Sequence, residues 1–320
     1  YVNHEAGRIE PLRFREDLLE RDRQKLNFNP SVARMAAGVQ MILSTRSPVI
    51  QVDMVLEPFR QNQTVTCRVY RDDVFYKDFK FERKQESNAV QIRLENGAIE
   101  SRRYCIKLPS TAETAITGVL IEQEFELERI DFEPKPVYVA LGDSITQGSV
   151  ALDGVSELSY PAILSRKLGA DLYNLGIGGS RLAPVIAEML ADWPRIDLIT
   201  LLIGANDFSW ASVPPERYQR QYEKLISEIR NHHPHVPLYC ITLTYTTRET
   251  GGSGDPTEAY REAVREVVAA SQEAGDEYLF LVEGDELTGK DDLHDWVHLN
   301  QEGNRRFAEA LYSKIMKLDK

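Results

Sequence analysis

Three cysteines in 320 residues are too few for a disulfide-built fold. Cys67, Cys105 and Cys240 each lie in apolar, strand-like surroundings and read as buried small hydrophobes. Only a Cys67–Cys105 bridge on facing strands is worth testing, since no framework spacing is present. Zinc-type Cys or His pairs are also missing. His232-His-Pro-His235 sits at a helix-to-strand turn, where imidazoles suit a helix C-terminus, so no metal is expected. No apolar run approaches the ~20 residues needed to cross a bilayer, and no membrane partner is expected. Positive charge is short: 38 Lys and Arg against 50 Asp and Glu leave a net charge of −12. That balance argues against nucleic acid, whose binding draws on Lys and Arg at phosphates. Tyr1-Val-Asn-His-Glu lacks the basic and apolar regions of a signal peptide. The expectation is a cytoplasmic chain, with export left open because the sequence does not begin with Met.

What is present is the composition of a globular protein, 42% apolar and 28% charged, at a length that suggests two domains. Residues 1–35 are polar, with a short helix or extended run at 17–27. From Gly38 the pattern turns to period two. Eight strands are expected at 39–45, 48–56, 63–70, 74–81, 90–94, 103–108, 115–121 and 125–130, with Asp72-Asp73 and Asn96-Gly97 as turns. This predicts an N-terminal antiparallel β-sandwich, jelly-roll-like, over residues 1–134. Pro134-Lys-Pro136 marks a linker. Residues 135–320 alternate strand and helix, which predicts a parallel sheet covered on both faces, an α/β unit.

Chemistry gathers in that second half. Leu141-Gly-Asp-Ser-Ile-Thr-Gln-Gly148 follows the apolar run 137–141 and reads as strand, tight turn, helix, so Ser144 lies at the carboxyl end of a strand, where α/β proteins bind ligands. An ordinary capped turn would use the same residue types. A second strand runs into Gly176-Ile-Gly-Gly-Ser180 and a third into Gly204-Ala-Asn-Asp207. Backbone N–H groups at such glycines, with one side-chain amide, suit the charge of a tetrahedral oxyanion, and Gly179 and Asn206 fit that role. Steric need for a tight turn explains glycines equally well. Near the C-terminus, Asp295-x-x-His298 lets a carboxylate meet one imidazole nitrogen while the other faces a hydroxyl. Asp291 and His294 share the spacing but lack the following Leu-Asn and helix. Trp210, just after Asn206, is either a sugar platform or loop packing. The glycine-rich stretch 246–255 reads as a mobile loop on the substrate side or a solvated connection.

These four blocks, in this order over roughly 136–320, resemble the SGNH, or GDSL, hydrolase family. Ile145 departs from the Leu of the family name without touching the chemistry. The resemblance implies a three-layer flavodoxin-like fold and a serine esterase that needs no cofactor. It implies Ser144, His298 and Asp295 as the triad, and an oxyanion hole from the N–H groups of Ser144 and Gly179 and the Asn206 amide. Gly179 is preferred to Gly178 by counting from Asn174. The domain pairing is similar to that of carbohydrate esterases that remove acetyl groups, so the expected partner is a small-molecule or oligosaccharide acyl ester. An acyltransferase, or a carbohydrate-binding protein with a vestigial site, are the competing readings.

Overall fold

The computed structural model describes every residue except 1, 6, 22–25, 59–63, 83–87, 98 and 319–320. Nine strands precede residue 122 among the described residues: β1 (Val2–Glu5), β2 (Arg8–Pro11), β3 (Gln40–Thr45), β4 (Val49–Pro58), β5 (Thr64–Arg71), β6 (Val74–Glu82), β7 (Ala89–Glu95), β8 (Arg102–Lys107) and β9 (Ala112–Ile121). They form two sheets, ordered β1-β2-β9-β4-β7 and β3-β8-β5-β6, and all their pairings are antiparallel. Period-two alternation drives this layer. Ile50, Val52, Met54 and Leu56 of β4 face Val65, Cys67 and Val69 of β5 in one core. Asp72 and Asp73 both hold positive φ, 52° and 64°, and close the two-residue hairpin that pairs Arg71 with Val74.

Two expectations for this half fail. Residues 125–130 form no eighth strand; a single bridge joins Leu127 to Thr45, and Leu127 is 50% exposed. Glu126, Glu128 and Arg129 leave that stretch too little apolar surface to bury. Nor is the N-terminal stretch merely polar. Phe14, Leu18, Leu19, Leu26, Phe28, Val32 and Met35 pack into one core with Leu175, Ile177, Leu182 and Ile186 of the second half. The described apolar residues from Phe14 to Met35 thus join the side of the molecule that a division at residue 134 assigns elsewhere. The two short helices there, α1 (Glu16–Leu19) and α2 (Pro30–Ala33), are too brief to show a helical period. All three cysteines are free, and Cys105 lies opposite Tyr70, not Cys67, in the β5–β8 register.

The second half is a parallel sheet of β10 (Val137–Gly142), β11 (Asp171–Gly176), β12 (Leu198–Leu202), β13 (Leu238–Ile241) and β14 (Leu279–Val282), in the order β11-β10-β12-β13-β14. Around it stand α3 (Ser144–Gln147), α4 (Tyr160–Leu168), α5 (Ala187–Leu190), α6 (Ala205–Phe208), α7 (Pro215–His232), α8 (Thr257–Glu273) and α9 (Gln301–Leu318). Tyr222 and Leu225 of α7 and Val264 of α8 cover one face. Tyr160 and Leu164 of α4, with Phe307 and Leu311 of α9, cover the other. The chain enters at β10, steps outward to β11, then returns past β10 to β12. The crevice at the carboxyl end of β10 is therefore the topological switch point.

A consequence concerns truncation. Residues 135–320 alone would lose seven large apolar side chains of the 12–37 stretch. At about 1.5–3 kcal/mol each, as an upper bound, that loss rivals a whole domain's net stability of about 5–15 kcal/mol. The fragment is expected to show no cooperative thermal transition in calorimetry. A sharp native-like transition in 135–320 would refute this account of the N-terminal stretch.

Candidate active site

Tyr138 to Leu141 are buried, as befits an interior strand between β11 and β12, and β10 ends on Gly142. A Cβ at Gly142 would lie 2.0 Å from Thr146 Oγ1 and 2.4 Å from Leu202 O, so the turn tolerates only glycine. Asp143 then caps α3, its Oδ1 accepting from Ile145 N at 3.0 Å, and burial pushes its carboxyl pKa up. Ser144 becomes the first residue of α3, where its N–H has no intrahelical acceptor.

The partner of Ser144 arrives from 154 residues away. Ser144 Oγ and His298 Nε2 are 2.8 Å apart, and His298 Nδ1 lies 2.7 Å from Asp295 Oδ2. Asp295 Oδ1 accepts from Val297 N and His298 N at 2.9 and 2.8 Å, which locks the turn. Burial opposes ionisation of Asp295, but these two N–H groups and the imidazole outweigh it and hold its pKa below the usual value. Asn300 Oδ1 accepts from Gly303 N at 2.8 Å at the start of α9, and a Cβ on Gly303 would meet Asp292 O at 2.2 Å. The loop bearing the histidine is thus seated on the helix behind it. Asp291 and His294, by contrast, are both exposed and share no hydrogen bond, while His294 N donates to His298 O at 2.7 Å.

Gly178 and Gly179 differ. Gly178 N donates to Gln147 Oε1 at 2.5 Å. Gly179 has φ +73°, open space at its Cβ position and no acceptor for its N–H among the described residues. Asn206, on α6, donates from Nδ2 to Ser180 O at 2.8 Å, which spends one of its two amide hydrogens. Its neighbour Asp207 is buried and accepts from Leu182 N at 2.9 Å; burial pushes its pKa up to about 7. The three loops after β10, β11 and β12 are therefore tied together.

Several contributors carry no signal in the sequence. Gln147 is buried, and while Oε1 takes the Gly178 N–H, its Nε2 donates to Ser110 O of the sandwich at 2.8 Å. Arg13, also buried, donates to Asn174 O and Gly176 O at 2.8 and 2.7 Å, and burial lowers its pKa to about 9. Stretch 246–255 is held rather than loose. Gly252 N donates to Phe208 O at 2.9 Å, and a Cβ on Gly251 would lie 2.3 Å from that same oxygen. Thr246 Oγ1 donates to Trp296 O at 2.8 Å, and the Arg248 guanidinium lies 3.9 Å from the Trp296 ring centre. A cavity lined by Asp143, Ile145, Leu202, Phe208, Thr244 and Trp296, but not by Ser144, has room for about 10 Å³, at the lower limit for one water molecule. His233 Nε2 donates to Leu190 O at 2.6 Å, a turn contact. Among the described residues no group of three or more His, Cys, Asp or Glu side chains is placed to hold a metal, and no helix is long and apolar enough to cross a membrane.

Residues 140–306 match the GDSL-like lipase/acylhydrolase family. Over 225 residues the chain is 25% identical to the cellulase/esterase CelE of Acetivibrio thermocellus, a match that covers 62% of this chain but only 27% of that longer protein. Among solved structures, a salicylyl-acyltransferase, SsfX3, from a tetracycline biosynthetic pathway superimposes with a TM-score of 0.84 at 21% identity, over 100% of this chain and 93% of that one. A family two carbohydrate esterase from Clostridium thermocellum, in complex with cellohexaose, gives 0.70 at 18% identity, over 97% and 98%. An acetyl xylan esterase, Est2A, from the rumen bacterium Butyrivibrio proteoclasticus gives 0.62 at 12% identity, over 88% and 89%. At these identities the structural likenesses establish a shared two-part fold, sandwich and α/β unit together.

Proposed function

Because the chain belongs to the GDSL-like lipase/acylhydrolase family, we propose that it cleaves short acyl esters, acetyl foremost, carried on a carbohydrate, through an acyl-enzyme on Ser144. Ser144 Oγ attacks the ester carbonyl while His298 Nε2 takes its proton. Asp295 keeps the imidazole in the tautomer that leaves Nε2 free and stabilises the imidazolium. The Ser144 and Gly179 N–H groups and the Asn206 amide receive the oxyanion. His298 returns the proton to the leaving alcohol, and a water deprotonated by His298 then releases the acid. The observation that carries this reading is the unbroken chain Ser144–His298–Asp295, with contacts of 2.8 and 2.7 Å. The same intact chain speaks against a vestigial, binding-only site.

A short acyl group is supported by the segments around Ser144, Gly179 and Asn206, which are polar or glycine-rich and offer no extended apolar stripe for a long tail. The carbohydrate is supported by the exposed indole of Trp210 near Asn206, and by the esterase names of the relatives. On p-nitrophenyl esters, kcat/KM is expected to fall steadily from acetate to octanoate. Faster turnover of octanoate would replace this reading with a lipase-like one.

Transfer of the acyl group to an alcohol other than water is the second reading, supported by the whole-length likeness to SsfX3. Both share the acyl-enzyme and part at its breakdown. Added alcohols that raise ester consumption while free acid stays level would favour transfer, and acid released one-for-one with alcohol would favour hydrolysis.

A further inference from the structure

Trp210 stands four residues beyond Asn206, just past the end of α6, and is 64% exposed, so burial does not account for its position. Its Nε1–H donates to Asn206 Oδ1 at 2.8 Å, while Asn206 Nδ2 donates to Ser180 O at 2.8 Å. An indole N–H only donates and a peptide carbonyl only accepts. These two partners therefore permit one orientation of the Asn206 amide. Turned by half a rotation, the amide would set oxygen against the Ser180 carbonyl and NH₂ against the indole N–H, which loses both bonds and adds two repulsions. The backbone on either side is held separately, with Ala211 N on Asn206 O and Val213 N on Asp207 O, each at 3.0 Å.

We propose that Trp210 is a positioning residue for the reaction. It pins Asn206 Oδ1 so that the second Nδ2 hydrogen stays turned toward the reacting carbonyl. A hydrogen bond to the amide oxygen also draws electron density from the nitrogen, which makes the remaining N–H a stronger donor when the oxyanion forms. The proposal rests on Asn206 acting as an oxyanion donor, and the experiment separates the two ideas. For this positioning role it assigns the indole N–H, and leaves the exposed ring face free to meet a sugar.

Trp210→Phe keeps a ring and removes the N–H. It is expected to lower kcat on p-nitrophenyl acetate about ten-fold, the effect of one hydrogen bond, with KM and melting temperature nearly unchanged. In an Asn206→Ala background the same substitution should cost nothing further, because the group it positions is gone. An equal loss in both backgrounds overturns the proposal, as does full activity in Trp210→Phe while Asn206→Ala is impaired. Normal activity in Asn206→Ala alone would instead remove Asn206 from the oxyanion hole, and the proposal with it. Should Trp210→Phe fold poorly, ¹⁵N-tryptophan labelling of the full chain gives a second reading. Asn206→Ala should shift one of three indole N–H resonances, and three unmoved resonances would overturn the contact.

Discussion

Ser144→Ala is expected to lose ester hydrolysis by on the order of 10⁴-fold or more in kcat, His298→Ala nearly as much, and the double variant no more than either alone. The three atoms Ser144 Oγ, His298 Nε2 and His298 Nδ1 lie on one hydrogen-bonded line that ends on Asp295. Without the hydroxyl no acyl-enzyme forms, and without the imidazole the hydroxyl keeps its proton, so each deletion stops the same step. Asp295→Asn should cost less. Its retained oxygen can still take the Val297 and His298 N–H groups, so the turn persists, although the new amide opposes the productive tautomer. Steady-state kinetics on p-nitrophenyl acetate, with fluorophosphonate labelling to follow the serine, checks all four variants. Hydrolysis retained in Ser144→Ala would end the assignment. An inactive Asp291→Ala or His294→Ala beside fully active Asp295→Ala and His298→Ala would move it to the other pair.

Asn206→Ala is expected to lower kcat by about 100-fold or more while KM stays nearly constant, since its amide faces charge that exists only in the transition state. Asn206→Asp sharpens the test. It preserves an oxygen for the Trp210 N–H but sets a carboxylate near Ser180 O and the developing oxyanion. Like charges in a partly buried site repel, so Asn206→Asp should be slower than Asn206→Ala despite being closer in shape. A raised KM with normal kcat in Asn206→Ala would make Asn206 a substrate-binding residue instead.

Short-range pattern carried much of this protein. Period-two alternation over 48–56 or 63–70 depends only on neighbouring side chains, and β4 and β5 follow it into the sandwich core. Gly142-Asp-Ser144 at the end of an apolar run is likewise a local matter, because the turn's glycine, cap and half-buried hydroxyl are adjacent. Asp295 and His298 lie within a single turn, so spacing together with the Leu-Asn and helix that follow singles them out from Asp291 and His294. The same rule misled at 125–130, where alternation with too little apolar area leaves a single bridge to the end of β3 and no strand.

Contacts between distant segments lay beyond that reach. Arg13 meets Asn174 O across 161 residues, and Gln147 joins Gly178 on one side to Ser110 on the other. No periodicity marks a buried arginine among charged neighbours, or a glutamine in a four-residue helix. The Gly178–Gly179 choice turns on which N–H Gln147 occupies, and the loop at 246–255 is still because Phe208 O receives Gly252 N. Such bonds depend on the strand order β11-β10-β12 bringing three loops to one edge, with Phe14, Phe28 and Met35 packed into the same core as Leu175 of β11. Local chemistry names the residues that can react, while the packing of segments far apart in the chain selects their partners and sets their orientation.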